Sequence, residues 1–176
     1  MPTVRTTSAA ETRQVAAALE PLLGAGDLLV LSGDLGAGKT AFVQGLAAAL
    51  GVTGRVTSPT FTLAHTYQGR LRLHHLDVYR FADPSEVLDL DLPELLADDA
   101  VTAVEWGETV LSELPGDFLR LEIRFGGPEE SPDVRWLDFE PQGAGWRARA
   151  AALEAALEGG ALPAPRRGAA AGSETG

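Results

Sequence analysis

The eight residues Gly33-Asp34-Leu35-Gly36-Ala37-Gly38-Lys39-Thr40 fit the pattern G-x-x-x-x-G-K-[ST] at every position. The chemistry this pattern supplies is the grip of a polyphosphate. Its glycines let the backbone curl until successive N–H groups point at anionic oxygens. A helix opening near Lys39 adds the positive end of its dipole. Lys39 then neutralises the β- and γ-phosphates of a nucleoside triphosphate, and the Thr40 hydroxyl is a magnesium ligand. ATP and Mg2+ are therefore the expected cofactors. At average composition such a spacing arises roughly once per 30,000 positions, which disfavours the competing explanation of a tight glycine turn ahead of a helix. Of the 14 basic residues, 13 are arginine and one is Lys39. A chain that uses arginine everywhere else keeps a compact, rotatable ammonium at the one place where a planar guanidinium would not substitute.

A phosphate loop alone transfers nothing, because the metal needs a second anchor, usually a carboxylate at the end of a neighbouring buried strand. Two residues qualify. Glu105 ends the apolar run Val101-Thr102-Ala103-Val104, and Asp77 lies in Leu73-His74-His75-Leu76-Asp77-Val78-Tyr79-Arg80. Either carboxylate could instead pair with an arginine such as Arg80. Thr57-Ser58-Pro59-Thr60 follows the first helix after the loop. There, the hydroxyls of Ser58 and Thr60 can reach phosphate, metal or an attacking water, as segments sensing the γ-phosphate do. The competing view of that segment is an ordinary loop entering a strand. His65, His74 and His75 invite a metal reading, but adjacent strand residues point to opposite faces, so packing or surface roles are expected for them.

These groups need a scaffold. Leu28 to Leu31 reads as a strand buried on both faces, and Ala41 to Leu50 as the helix after the loop, stopped by Gly51. Upstream, Ser8-Ala9-Ala10-Glu11 is a capping box. It opens a helix with an apolar face at Val15, Leu19, Leu22 and Leu23, ended by Gly24 and Gly26. Downstream, Thr62 to Tyr67 and Leu71 to Val78 form a strand pair turning at Gln68-Gly69-Arg70. Asp83-Pro84 opens a helix reaching about Leu90, and Leu92 to Ala97 forms a shorter turn. Val101 to Val104 is another buried strand. Phe118 to Phe125 and Val134 to Phe139 alternate apolar and polar residues around a turn at Gly126 to Asp133, an antiparallel hairpin. The expected fold is α/β, of the phosphate-loop NTPase type, three layers deep. Its central sheet is mixed, partly parallel, and includes antiparallel hairpins. Residues 1–145 are assigned to the phosphate-loop domain, 146–158 to a helix, and 159–176 to a disordered Ala/Gly/Pro tail.

At 176 residues the chain has room for one domain with a proper core. It has no cysteine, which excludes disulfides and thiol chemistry. No N-terminal apolar run reads as a secretory signal, and no stretch approaches the ~20 apolar residues of a membrane span. A cytoplasmic protein is expected, with neither membrane nor DNA as partner. A formal charge of −11 repels nucleic-acid backbones, so any RNA is expected to be reached only through partners.

Four blocks in order and spacing, namely Gly33 to Thr40, Ser58-Pro59-Thr60-Phe61-Thr62-Leu63, Leu76-Asp77-Val78-Tyr79-Arg80 and Val104-Glu105-Trp106, make residues 4 to 140 similar to the bacterial TsaE (YjeE) family. The resemblance implies a small, slow, partner-dependent ATPase that supports formation of threonylcarbamoyladenosine at position 37 of tRNA (t6A37). It acts on a TsaD–TsaB pair that is itself the transferase. By motif, Gly33, Leu35, Gly36, Ala37, Gly38, Lys39 and Thr40 would contact phosphates, and Thr40 and Glu105 would hold magnesium. Asp77, Ser58 and Thr60 would orient water or sense the γ-phosphate. The stretch from Thr6 to Ala9, including Ser8, would lie near adenine. Arg135 falls where the family often carries an arginine before its last strand. A small-molecule phosphotransferase built on the same loop remains the alternative. Against it, the chain offers a hairpin after Glu105 and only scattered arginines, where such an enzyme needs an acceptor pocket and an arginine-rich lid.

Overall fold

The strand that precedes the phosphate-loop motif, β2 (Leu28–Ser32), is buried at all five positions. It lies between two parallel neighbours, β5 (Ala100–Glu105) and β6 (Phe118–Phe125). Covered on both faces, it carries apolar residues without alternation. Leu29 and Leu31 join one core cluster, while Leu28 and Val30 join the other. The structure, a computed structural model, describes residues 1–59, 63–79, 96 and 99–160. Next to β5 runs β4 (Arg72–Asp77), parallel, and outside it β3 (Ala64–Tyr67), antiparallel. On the other side β7 (Arg135–Gln142) pairs antiparallel with β6. The margin beyond it is β1 (Thr3–Thr6), also antiparallel. The order is β1-β7-β6-β2-β5-β4-β3, seven strands with a parallel centre and antiparallel margins. Both expected strand pairs are present. β1 was not expected, since four residues alternating exposed and buried leave too short a pattern to read.

Helices bury one face of this sheet. α1 (Ala9–Ala17) begins at the expected cap, where Ser8 Oγ accepts from Glu11 N at 3.2 Å. Glu11 in turn accepts from the Thr7 backbone N–H and hydroxyl. The helix stops earlier than its apolar face suggests. Pro21, which has no N–H and crowds the preceding turn, sits in a separate 3-10 turn, Glu20–Leu22. Leu19 and Leu23 are buried all the same. α2 (Lys39–Ala49) starts directly at the motif lysine, with Gly38 at its N-cap in left-handed backbone, φ 112°. The expected C-terminal helix is two helices, α3 (Gly143–Ala148) and α4 (Ala150–Gly160). Trp146, Leu153 and Leu157 are buried in the same cluster as α1, α2 and the sheet. Asp117 anchors this end by accepting the N–H groups of Gly145 and Trp146.

The opposite face carries Leu28, Val30, Leu76 and Val104. Val110 and Leu114 cover it, the first from the 3-10 helix Gly107–Glu113 and the second just beyond it. Three layers with a mixed, partly parallel sheet result, the α/β arrangement expected. The helix expected from Asp83 to Leu90, all of the turn Leu92 to Ala97 but Leu96, and the tail beyond Gly160 lie outside the described residues. Among the described residues no helix is long and apolar enough to cross a membrane.

Candidate functional site

Parallel strands β2, β4 and β5 all end at one edge of the sheet, the carboxyl edge where open α/β sheets bind ligands. Ser32 leads from β2 into the loop Gly33 to Gly38, Asp77 ends β4 and Glu105 ends β5. Asp77 and Glu105 are register partners on adjacent strands, so their carboxylates are neighbours for topological reasons. They border a cavity of about 470 Å³ together with Gly36, Gly38, Lys39, Thr40 and Ser58.

The loop needs glycine at its first position for space as well as conformation. Gly33 has φ 131°, and a Cβ there would run into the carbonyl of Ile123 on β6. Lys39 is nearly buried. Its Nζ donates to the carbonyls of Gly33 at 2.5 Å and Asp34 at 3.0 Å, and lies 3.5 Å from the centroid of the Trp106 ring. Desolvation by burial lowers the Lys39 pKa, opposed by the carboxylates of Glu105, Glu108, Asp77 and Asp34. Trp106 reaches the lysine because its own backbone turns left-handed, φ 63°, directly after Glu105. That conformation costs a non-glycine residue roughly 1–2 kcal/mol. The Tyr79 ring sits 4.7 Å from Trp106, centroid to centroid, at the mouth of the cavity.

Thr40 and Glu105 meet directly, with Oγ1 donating to the carboxylate at 2.9 and 3.1 Å. A hydroxyl and a carboxylate oxygen brought together are the hard donor types that magnesium takes, as one or two protein anchors completed by phosphate and water. The fit follows from charge as well. A triphosphate entering beside Asp77 and Glu105, both nearly buried, would meet two carboxylates with Lys39 as the counter-charge, and a divalent cation removes that conflict. Among the described residues no three His, Cys, Asp or Glu side chains converge on a metal site of their own. Ser58 Oγ donates to Asp77 Oδ2 at 2.6 Å, and Asp77 Oδ1 accepts the N–H of Tyr79 at 3.1 Å. Thr60 lies outside the described residues.

Leu35, Gly36, Gly38, Lys39, Thr40, Ser58, Asp77 and Glu105 are thus brought to one cavity. Gly33 and Ala37 shape the loop from behind, Gly33 through its carbonyl to Lys39 and Ala37 through its carbonyl to Arg135. Ser8 is not among the lining residues, and its hydroxyl is engaged in capping α1. His75 has the packing role expected of it, and what it packs against is the site. It is fully buried, and its Nε2 stands 2.7 Å from Glu105 Oε1. This is the kind of outer-shell contact that orients a metal-binding carboxylate. The signal was available, since His75 and Asp77 are two apart on one strand and so share a face. His74 faces the other way and meets Thr66 at 2.9 Å. Glu108 was missed. Burial raises its carboxyl pKa, its own backbone N–H and Lys39 oppose the shift, and its Oε2 is buried without a hydrogen bond.

Residues 6–131 match the family model described as Threonylcarbamoyl adenosine biosynthesis protein TsaE. The chain is 44% identical over 117 residues to the tRNA threonylcarbamoyladenosine biosynthesis protein TsaE of Treponema pallidum, covering 66% of this chain and 87% of that protein. It is 42% identical over 140 residues to the protein of the same name from Streptomyces coelicolor, covering 76% and 93%. Among solved structures, Bacillus subtilis YdiB superposes with a TM-score of 0.74 at 33% identity, over 88% of this chain and 94% of that one. The matched span contains the loop, both strand-end carboxylates and the strands that carry them, and on that basis the chain belongs to the TsaE family.

Proposed function

We propose that this protein binds magnesium-ATP in the loop from Gly33 to Thr40, hydrolyses it slowly, and through that cycle supports t6A37 modification of tRNA by a TsaD–TsaB transferase pair in the cytoplasm. The observation that carries the reading is the Thr40–Glu105 contact beside a nearly buried Lys39 at the junction of β2 and α2. Backbone N–H groups of the loop and the Lys39 ammonium take the phosphates. Thr40 Oγ1 and a Glu105 oxygen are the protein anchors for the metal. Magnesium, when bound, offsets phosphate charge as the γ-phosphoryl group leaves. Hydrolysis joins a water oxygen to the γ-phosphorus and breaks its bond to the bridging oxygen, giving ADP and phosphate. Asp77, steadied by Ser58 Oγ and the Tyr79 N–H, is the carboxylate assigned to orienting that water. The family membership supports the tRNA-modification role. The net charge of −11 fits a protein that leaves tRNA to its partners.

Lys39→Ala and Thr40→Ala are expected to abolish magnesium-ATP binding or turnover while circular dichroism stays unchanged. Wild-type turnover in either purified variant refutes the site. Co-purification with TsaD and TsaB, with and without ATP, tests the partner assignment. A phosphorylated small molecule formed from labelled ATP and a metabolite pool would instead make the protein a phosphotransferase.

A further inference from the structure

The loop that carries the site is held from outside by one arginine. Arg135, the first residue of β7, donates from Nε to the carbonyl of Ala37 at 2.9 Å and from Nη2 to that of Gly36 at 3.4 Å. Its Nη1 donates to the carbonyls of Pro132 at 2.6 Å and Val134 at 2.8 Å. The guanidinium also rests 4.4 Å from the centroid of the Phe125 ring. Among the described residues no carboxylate pairs with it. A charge engaged only by carbonyls and a ring is an unusual use of arginine in a protein with 25 acidic residues.

The consequence lies in peptide geometry. All peptide bonds described are trans, and in a trans peptide the C=O and the following N–H point in opposite directions. Arg135 draws the Ala37 carbonyl toward the hairpin, which turns the Gly38 N–H the other way, and Gly38 lines the cavity. The neighbouring Ala37 N–H is already spent on the carbonyl of Asp34 at 3.1 Å. Gly38 has φ 112°, a conformation open to glycine that would otherwise leave this peptide free to flip. The fork also ties the loop to the start of β7.

We infer that Arg135 is a positioning residue for anion binding: it fixes the orientation of the peptide between Ala37 and Gly38 so that the Gly38 N–H faces the ligand. The inference rests on the nucleotide-binding reading above and adds a residue outside the cavity to it. A guanidinium is needed because its Nε and Nη2 face two successive carbonyls at once, which an ammonium cannot do with fixed geometry.

The test measures ATP turnover and thermal melting for the wild type, Arg135→Gln and Arg135→Lys, with magnesium-ADP affinity measured by titration. Both variants should raise the KM for ATP and the Kd for ADP roughly tenfold, the scale of one lost charge-assisted hydrogen bond, with kcat changed less than about twofold because Arg135 touches no reacting atom. The lysine variant keeps the charge and separates orientation from electrostatics. Wild-type affinity in Arg135→Lys, or in a folded Arg135→Gln, overturns the inference. If Arg135→Gln does not fold, the lysine variant alone decides. If the wild type binds neither ADP nor ATP, the nucleotide reading fails and the inference with it. If the wild type binds and the variants match it, only the inference fails.

Discussion

Replacing Gly45 by alanine is the substitution for which sequence and structure predict opposite signs. Gly45 lies inside α2, and in an isolated helix alanine is favoured over glycine by about 1 kcal/mol. In the folded protein the Gly45 face meets the backbone of α1. A Cβ there would stand 2.5 Å from Arg13 Cα and 2.7 Å from Arg13 C, and closer still to Arg13 O. All three are main-chain atoms, so no rotamer change relieves the clash. Ordinary contact begins near 3.4 Å, so the two helices must separate by about 1 Å, the Arg13 oxygen being nearest. A gap of that size forfeits a quarter to a half of the dispersion across the contact. Val15 and Ala16 on α1 and Phe42 and Leu46 on α2 belong to one buried cluster. Overpacking of this kind costs roughly 1–3 kcal/mol. Set against the propensity gain of about 1 kcal/mol, a net loss near 1 kcal/mol is expected, or a fall in Tm of ~2–4 °C for a chain this size. Urea unfolding followed by circular dichroism should show a lower midpoint at unchanged slope. Gly159 in α4 has nothing within 4 Å, so Gly159→Ala should be neutral or slightly stabilising. A Gly45→Ala midpoint at or above wild type would refute the steric argument and the α1–α2 packing behind it. Because α2 begins with Lys39 and Thr40, the same variant should also loosen the site.

Two further outcomes follow from charge placement. Burial raises the Glu108 carboxyl above its ordinary value, so between those two values the folded state holds more protons than the unfolded one. Stability therefore falls as pH rises through that interval, and the cost is complete above it. Glu108→Gln should raise Tm at about pH 8 and leave it unchanged at about pH 4, by differential scanning fluorimetry; an equal gain at both would contradict the assignment. Arg149 grips Asp27 with two 2.7 Å bonds, donates to the Leu22 carbonyl at 2.9 Å and lies 3.9 Å from the Trp146 ring centroid. Arg149→Ala should cost about 1–3 kcal/mol in chemical denaturation, and Arg149→Lys should recover only part, since lysine cannot form the fork.

Most of the candidate site was legible in sequence because its signals are local. The loop is one contiguous run whose glycines, lysine and threonine each answer a backbone or charge requirement. Glu105 follows four buried strand residues, so its position at the carboxyl edge comes from the period and length of the strand. The Ser8 cap and the hairpin closing near Gly126 to Asp133 were equally readable, since caps and turns are settled within a few residues. The position of Asp77 beside Glu105 needed the further fact that β4 and β5 are parallel neighbours in register.

What tertiary structure alone decided are the contacts between residues far apart in the chain. His75 could be placed on the face of Asp77 by alternation, but its 2.7 Å contact to Glu105 depends on strand order. Arg135 reaches Ala37 across 98 residues, and no local pattern encodes that meeting. Four residues of β1 carry no readable period, and they are held by pairing with β7 about 130 residues later. The sign of Gly45→Ala belongs to this second class, because propensity is a property of α2 by itself and the clash is a property of α1 lying against it. The sequence by itself determined which groups could do chemistry and which elements carry them. Strand order and helix packing decided which other side chains hold those groups in place, since that depends on distances the linear chain does not contain.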